Sequence, residues 1–280
     1  MLEATNDHLI SDVKNGTLLS GGIDSTIITY AASRVSLNKI DTFCVKSNDK
    51  NYDESDHAIK TASQIGTNHH TLEFSQDDLF QSIINIHKVY DEPFGDSSQI
   101  PTYLLFKSIN DKIKVALSGD GGDELFYGYN RYEFLNKHYD KIKILNRKFR
   151  FLMSDLIKMV PESTYDNFNK ILKLNYSNLG NKFHKIANSL KFKNLKELYF
   201  QIIRQDLSYN NLVNTKIDER NSFLDLITFK SNNSNLKNFQ NMDIKYYLSD
   251  DIFVKVDRAS MYNSIECRAP FLDNRIVSFS

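Results

Sequence analysis

The sequence predicts an α/β fold built on a parallel, doubly wound sheet, and three observations carry that prediction. Short apolar runs at Thr17–Leu19, Lys39–Val45, His69–Phe74 and Lys114–Leu117 alternate with stretches of helical periodicity. Strands joined by helices of this length pair in parallel, because each crossover returns the chain to the same end of the sheet and covers one face. Two of the runs lead directly into glycine turns, Ser20-Gly21-Gly22 and Ser118-Gly119-Asp120-Gly121-Gly122. Ligands of such sheets sit beyond the carboxyl ends of the strands, so both turns are expected to face one crevice.

Taken in order, Leu2–Val13 reads as a short helix leading to the first strand. After the first glycine turn, Asp24 and Ser25 open a helix through Ile27, Ile28, Tyr30 and Ala31. Asp53–Ile65 carries Ala58, Ile59, Ala62 and Ile65 on one side. Asp77–Tyr90 is expected to turn Leu79, Phe80, Ile83, Ile84 and His87 inward. His69 and His70 read as the start of a strand, and the second glycine turn opens a helix through Leu125, Phe126 and Tyr129. Beyond Asp140 the chain becomes rich in Asn, Lys, Leu and Phe and loses its strand signals. There Leu145, Phe149, Leu152, Leu156 and Met159 recur at helical spacing, as do Phe183, Ile186 and Leu190, and Leu195, Leu198 and Ile202; these stripes read as core. Pro161 punctuates one helix, and the polar tract at Asn232, Asn233 and Asn235 reads as a loop. The division expected is a nucleotide-binding core over 1–139, a helical annex over 140–245 and a closing helical motif over 246–280.

Composition narrows the function classes. Lys plus Arg and Asp plus Glu both number 35, so no net field favours nucleic acid or an anionic membrane. The basic cluster Arg147, Lys148 and Arg150 reads as a solvated helix face. Cys44 and Cys267 are too far apart in sequence for a metal or disulfide framework, and a reducing interior is the simplest setting. No basic-then-apolar leader and no membrane-length apolar run stands in the sequence; the expectation is a cytoplasmic protein with no membrane or nucleic-acid partner.

The chemistry lies in the two loops. A glycine turn between a strand and a helix start gathers unpaired N–H groups at one spot, an anion site. Leu18–Ser25 reads L-L-S-G-G-I-D-S, with no lysine and without the G-x-x-x-x-G-K-[ST] spacing. Asp24 would repel a polyphosphate unless a divalent cation lay between them. The plain alternative is an ordinary turn with an aspartate cap. In Ser118–Tyr129, S-G-D-G-G-D-E-L-F-Y-G-Y, the acids Asp120, Asp123 and Glu124 crowd a glycine turn. Capping needs one aspartate, so three predict a cation or a substrate ammonium among them.

The S-G-G-I-D-S loop resembles the pyrophosphate loop of the ATP-pyrophosphatase (adenine nucleotide alpha hydrolase-like) proteins. Ser118–Tyr129 resembles the S-G-[DE]-G-x-D-E-x-F-x-G-Y signature of the synthetase domain of asparagine synthetases. Asp250–Asp273 resembles the same family's closing motif, and Asp91–Pro101, D-E-P-F-G-D-S-S-Q-I-P, resembles a segment of its glutamine-dependent bacterial members. The resemblance spans nearly the whole chain and is weakest over 140–245. It implies ATP and Mg²⁺ as cofactors, with Ser20, Gly21, Gly22, Asp24 and Ser25 on the pyrophosphate. Leu18, Val45, Ser118 and Gly119 would contact the adenosine, and Asp24 and Asp123 would hold Mg²⁺. Asp120 is implied in forming an acyl-adenylate, with Asp251 as a second catalytic candidate.

By the same resemblance, Ser97, Ser98 and the Asp250/Asp251 pair would line the amino-acid side. Arg258, Glu266 and Arg268 are open between substrate binding and a buried ion-pair network, and Lys255 and Asp257 read as structural. The implied reaction amidates aspartate through β-aspartyl-AMP, with ammonia as the second substrate. The family's cysteine-first glutaminase domain and a lysine-containing C-terminal segment are not in this sequence, so the chain reads as truncated. A glutaminase on a separate chain or domain, and self-association as a homo-oligomer, are left open. A β-lactam-synthetase-like cyclase and an inactive ATP-Mg-binding chain are the alternatives; a tRNA sulfur-transfer enzyme is disfavoured by charge and cysteine placement.

Overall fold

A computed structural model describes residues 1–47, 49, 53–172, 178–203 and 227–280. The chain divides into two compact units, one of Met1–Gly128 with Asp243–Ser280 and one of Tyr129–Met242. The first unit opens with α1 (Leu2–Leu9), β1 (Asn15–Leu18), α2 (Ile23–Val35), β2 (Asp41–Val45), α3 (Ser55–Ile65) and β3 (Asn68–Leu72). It continues through α4 (Gln76–Asn85), α5 (Gln99–Ile109), β4 (Val115–Leu117) and α6 (Gly122–Phe126). The second unit holds α7 (Asn130–Ile144), α8 (Arg147–Met159), α9 (Glu162–Ile171), α10 (Leu179–Leu190), α11 (Leu195–Ile203) and α12 (Asn235–Met242). The chain re-enters the first unit by a π-helical stretch, Asp243–Ile252, then α13 (Phe253–Tyr262), β5 (Glu266–Arg268) and α14 (Asn274–Phe279).

The strands form one parallel sheet in the order β3-β2-β1-β4-β5, with β1 between β2 and β4. The predicted parallel, doubly wound fold is therefore present, and one strand, β5, lies within the expected closing helical motif. Its residues Glu266, Cys267 and Arg268 lack a long apolar run; the pairing of Val115 with Glu266 and Leu117 with Arg268 makes them a strand.

Alternation along the strands shows both faces covered. Phe43 and Ala116 pack with Phe106, Ile109, Ile113, Ala259 and Ile265 on one side. Their neighbours point the other way: Cys44 packs with Leu19, Ala58 and Ala62, and Val115 and Leu117 with Ile28, Leu125 and Phe271. His69 and His70 lie in β3 as read, with His69 Nδ1 2.8 Å from Thr42 Oγ1 and His70 Nε2 3.1 Å from Asp41 Oδ1.

Helix faces were legible less well. Helix α4 starts at a capping box, Ser75 with Asp78, and buries Ser82, with Leu79 and Ile86 packed on the core. Phe80, Ile83, Ile84 and His87, expected inward, are exposed. The face of Leu79, Ser82 and Ile86 wins because a 3.6-residue repeat admits a second apolar row, and only packing selects between them.

In the second unit the expected core stripe of α8 is likewise outside, with Leu152, Leu156 and Met159 exposed. Arg150 and Ser154 are the buried residues of α8. Ser154 Oγ donates to the Ala187 carbonyl at 2.6 Å, and Arg150 Nη1 donates to the carbonyls of Leu190 and Phe192, each at 3.2 Å. The Arg150 guanidinium lies over the Phe192 ring, 4.2 Å from its centroid. Arg150 thus leaves the expected solvated cluster because the carbonyls at the end of α10 lack intrahelical partners and need a donor. Arg147 and Lys148 do remain exposed.

Candidate functional site

Strands β1 and β4 are neighbours in register, Thr17 opposite Leu117, so the loops that follow them emerge side by side. The first loop is closed on itself. The Ser20 amide donates to Ser25 Oγ at 3.2 Å, Ser25 Oγ donates to the Gly22 carbonyl at 3.1 Å, and the two hydroxyls are 3.1 Å apart. Gly21 adopts φ +85°, and a Cβ there would lie 2.8 Å from His57 Cβ. Gly22 caps α2, which leaves the amides of the first turn, where Asp24 sits, without intrahelical acceptors.

The two loops touch through their glycines. A Cβ on Gly119 would stand 2.9 Å from the Ser25 nitrogen, and one on Gly122 would be 2.6 Å from Asp24 Oδ2. A Cβ on Gly128 would overlap the Asp123 carboxylate. Glycine at these places is what lets Asp24 and Asp123 approach each other.

Their charges register the approach. Burial first, and then the Asp123 charge, push the Asp24 carboxyl up to about 6. Burial also raises the Asp120 carboxyl, against a hydrogen bond from Ser118 Oγ at 2.8 Å and the Lys255 charge, both of which lower it. Asp24 and Asp123 form an acid pair across which a hard divalent cation would find oxygen ligands, with water and phosphate completing the shell. No cluster of three or more His, Cys, Asp or Glu fit for a metal exists among the described residues.

These groups line one cavity of about 740 Å³. Leu18, Ser20, Gly22, Asp24, Ser25, Ser118, Gly119, Asp120 and Asp123, all singled out in the sequence, are in its wall. Gly21 and Val45 are not among the lining residues; Gly21 shapes the turn and Val45 ends β2. Ser98 lines the cavity, whereas Ser97 is exposed outside it. Asp250 and Asp251 lie on the π-helical stretch, outside this lining, with Asp250 exposed and accepting from Ser249 Oγ at 2.7 Å. A second cavity of about 580 Å³, lined by Phe253, Asp257, Arg258 and Cys267 among others, shares Ser118, Asp120 and Val256 with the first. Burial, the largest effect, and the nearby Asp120 charge push the Cys267 thiol far up, so it is no thiolate nucleophile.

Sequence reasoning missed Glu54, Thr102 and the placement of Lys255. Lys255 Nζ donates to Asp96 Oδ2 at 2.7 Å and to Ser98 Oγ at 2.9 Å, inside the cavity wall. The signal was present, since Asp96 and Ser98 fall in the quoted Asp91–Pro101 segment, but nothing local links them to a residue 159 positions away. Arg258, Glu266 and Arg268 make partly exposed pairs rather than a buried network. Arg258 bonds Asp91, and Arg268 Nε donates to Glu266 Oε1 at 2.7 Å. Arg268 Nη1 also donates to the carbonyls of His8 and Ile10, tying β5 to the end of α1.

A parallel α/β sheet whose carboxyl edge carries paired glycine loops and converging carboxylates defines the class of fold. Within that class the chain belongs to the asparagine synthase family, whose profile (Asparagine synthase) matches residues 1–280. It is 30% identical over 274 residues to asparagine synthetase (glutamine-hydrolyzing) 1 of Bacillus subtilis, a match of 97% of this chain and 40% of that protein. It is 33% identical over 159 residues to asparagine synthetase (glutamine-hydrolyzing) 2 of Oryza sativa, across 50% of this chain and 26% of that protein. The chain thus spans less than half the length of these curated relatives. Among solved structures, an NH3-dependent NAD synthetase from Campylobacter jejuni covers 73% of this chain and 94% of its own at 14% identity, with a TM-score of 0.32 that adds nothing to the assignment. Among the described residues no helix is long and apolar enough to cross a membrane.

Proposed function

We propose that this chain carries the synthetase step of its family: AMP-forming activation of aspartate by ATP, followed by transfer of ammonia to give asparagine. The observation that supports this reading most is the meeting of Asp24 and Asp123 from two different glycine loops in one cavity. That arrangement suits a polyphosphate gripped by backbone amides, with Mg²⁺ between it and the two carboxylates. When bound, Mg²⁺ would neutralise the triphosphate and stabilise the charge of departing pyrophosphate.

The residues divide the work as follows. The first-turn amides of α2, with Ser20 and Ser25, orient the β and γ phosphates. Leu18, Val45, Ser118 and Gly119 are assigned to the adenosine side. The substrate β-carboxylate attacks the α-phosphorus in line with leaving pyrophosphate, forming β-aspartyl-AMP, and ammonia then displaces AMP. Asp120 sits where the two cavities share a wall and is assigned to the step that forms the acyl-adenylate. Asp251 is assigned a supporting catalytic role on the acceptor side. The ammonia is assigned to a glutaminase domain or separate chain.

The test is release of AMP and pyrophosphate from ATP-Mg by the purified chain with aspartate and ammonium, against Asp24→Ala. Aspartate-dependent AMP lost in the variant, with asparagine formed, supports the reading. AMP formed at the same rate without aspartate would sink it.

A further inference from the structure

Lys255 contributes the cavity's one positive charge among its described lining residues, against the carboxylates of Asp24, Glu54, Asp120 and Asp123. It is held from both ends. Tyr90 Oη donates to the Lys255 carbonyl at 2.9 Å, fixing the backbone of α13, and Asp96 and Ser98 accept from the ammonium. Asp96 is itself pinned, its Oδ1 accepting from the amide and the hydroxyl of Ser98, both at 2.8 Å. Both members of the ion pair are largely buried, with side-chain exposures of 13% and 14%. Burial would raise the Asp96 carboxyl, but the bonds from Lys255 and Ser98 outweigh it and hold it below its ordinary range.

An ammonium has three N–H donors. Asp96 and Ser98 engage two, and no third acceptor from the described residues bonds Lys255. The field of Lys255 is felt at Asp120, while at Asp24 the raising influences are burial and Asp123. Lys255 therefore belongs to the Asp120 end of the cavity, away from the acid pair suited to a cation. A purely structural ion pair needs neither a cavity wall nor a spare donor, and burying one has little net benefit in itself.

We propose that Lys255 binds the carboxylate of the acceptor substrate, with Asp96 and Ser98 as the positioning residues that aim its ammonium. An anionic acceptor entering a cavity lined by four carboxylates needs such a cation, and the Asp96–Ser98 cradle keeps it directed. This inference rests on the proposed function for the name of the acceptor, aspartate, but its chemistry requires only a carboxylate.

The experiment is calorimetric titration of the 280-residue chain, loaded with Mg²⁺ and a non-hydrolysable ATP analogue, with aspartate, glutamate and succinate in turn. Lys255→Met is paired with the double variant Lys255→Met/Asp96→Asn, which leaves no unpaired buried charge, and affinity for the ATP analogue serves as the folding control. The expected result is at least tenfold weaker carboxylate binding in both variants, with nucleotide affinity held within about twofold, since losing a charge-assisted bond costs on this order. Lys255-dependent binding of glutamate or succinate but not aspartate would uphold the lysine's role and overturn aspartate as acceptor. Carboxylate affinity unchanged in the double variant, or no carboxylate bound by the wild type, would overturn the proposal.

Discussion

Replacing Asp24 by Asn should stabilise the folded chain while abolishing the Mg²⁺-dependent AMP formation proposed for it. Burial and the Asp123 charge raise the Asp24 carboxyl from 3.8 to about 6, so the ionised form is disfavoured in the fold. Taken whole, that rise is about 3 kcal/mol at 1.36 kcal/mol per pH decade. Asp24 is only half-buried, and solvent screening reduces the figure to about 1–2 kcal/mol. The sign follows from proton binding. Between pH 4 and 6 the folded state holds more protons on Asp24 than the unfolded state, so stability falls as pH rises through this window. Below about pH 4 the carboxyl is neutral in both states and wild type and variant should denature alike. Above pH 6 the variant should be the more stable by the full amount. Urea denaturation at pH 4, 5, 6 and 7, with and without Mg²⁺, reads this directly, and Mg²⁺ should close the gap by stabilising wild type alone. Equal pH profiles for the two proteins would refute the strained acid pair and, with it, the argument for a cation at this spot.

Other outcomes follow from the same geometry. Gly122→Ala forces a methyl against the Asp24 carboxylate and should cost about 1–3 kcal/mol in thermal denaturation, with loss of Mg²⁺-dependent stabilisation. Asp120→Asn should retain ATP-Mg affinity while lowering aspartate-dependent AMP formation at least a hundredfold, the usual scale for losing one group that acts in the transition state, in a steady-state assay. Phe106→Ala empties a fully buried site between the sheet and α5 and should destabilise by about 3–5 kcal/mol in urea, with a lower midpoint at an unchanged slope. Arg150→Met leaves the carbonyls of Leu190 and Phe192 without their donor and should cost about 1–3 kcal/mol, whereas Lys148→Met should cost under 0.5 kcal/mol.

The sequence determined the parallel sheet, because four strands end in turns or helices whose periodicity can be read within a dozen residues. It also determined the loops: glycine, serine and aspartate at Ser20–Ser25 and Ser118–Asp123 act through their own backbone, so their chemistry is local. Tertiary structure decided everything that depends on distance. Which row of α4 and α8 faces inward was settled by packing partners, since the buried positions are Ser82 in α4 and Arg150 and Ser154 in α8, and the apolar repeat alone does not pick them. Arg150 entered the interior for the sake of carbonyls 40 and 42 residues away. β5 became a strand only because β4 offered an open edge. Lys255 turned from a residue of the closing motif into part of the cavity wall because α13 returns beside the start of α5 and presents its ammonium to Asp96. A chain writes its turns and periods in neighbouring residues, whereas a charge pair across 159 positions exists only once the fold has brought its members together.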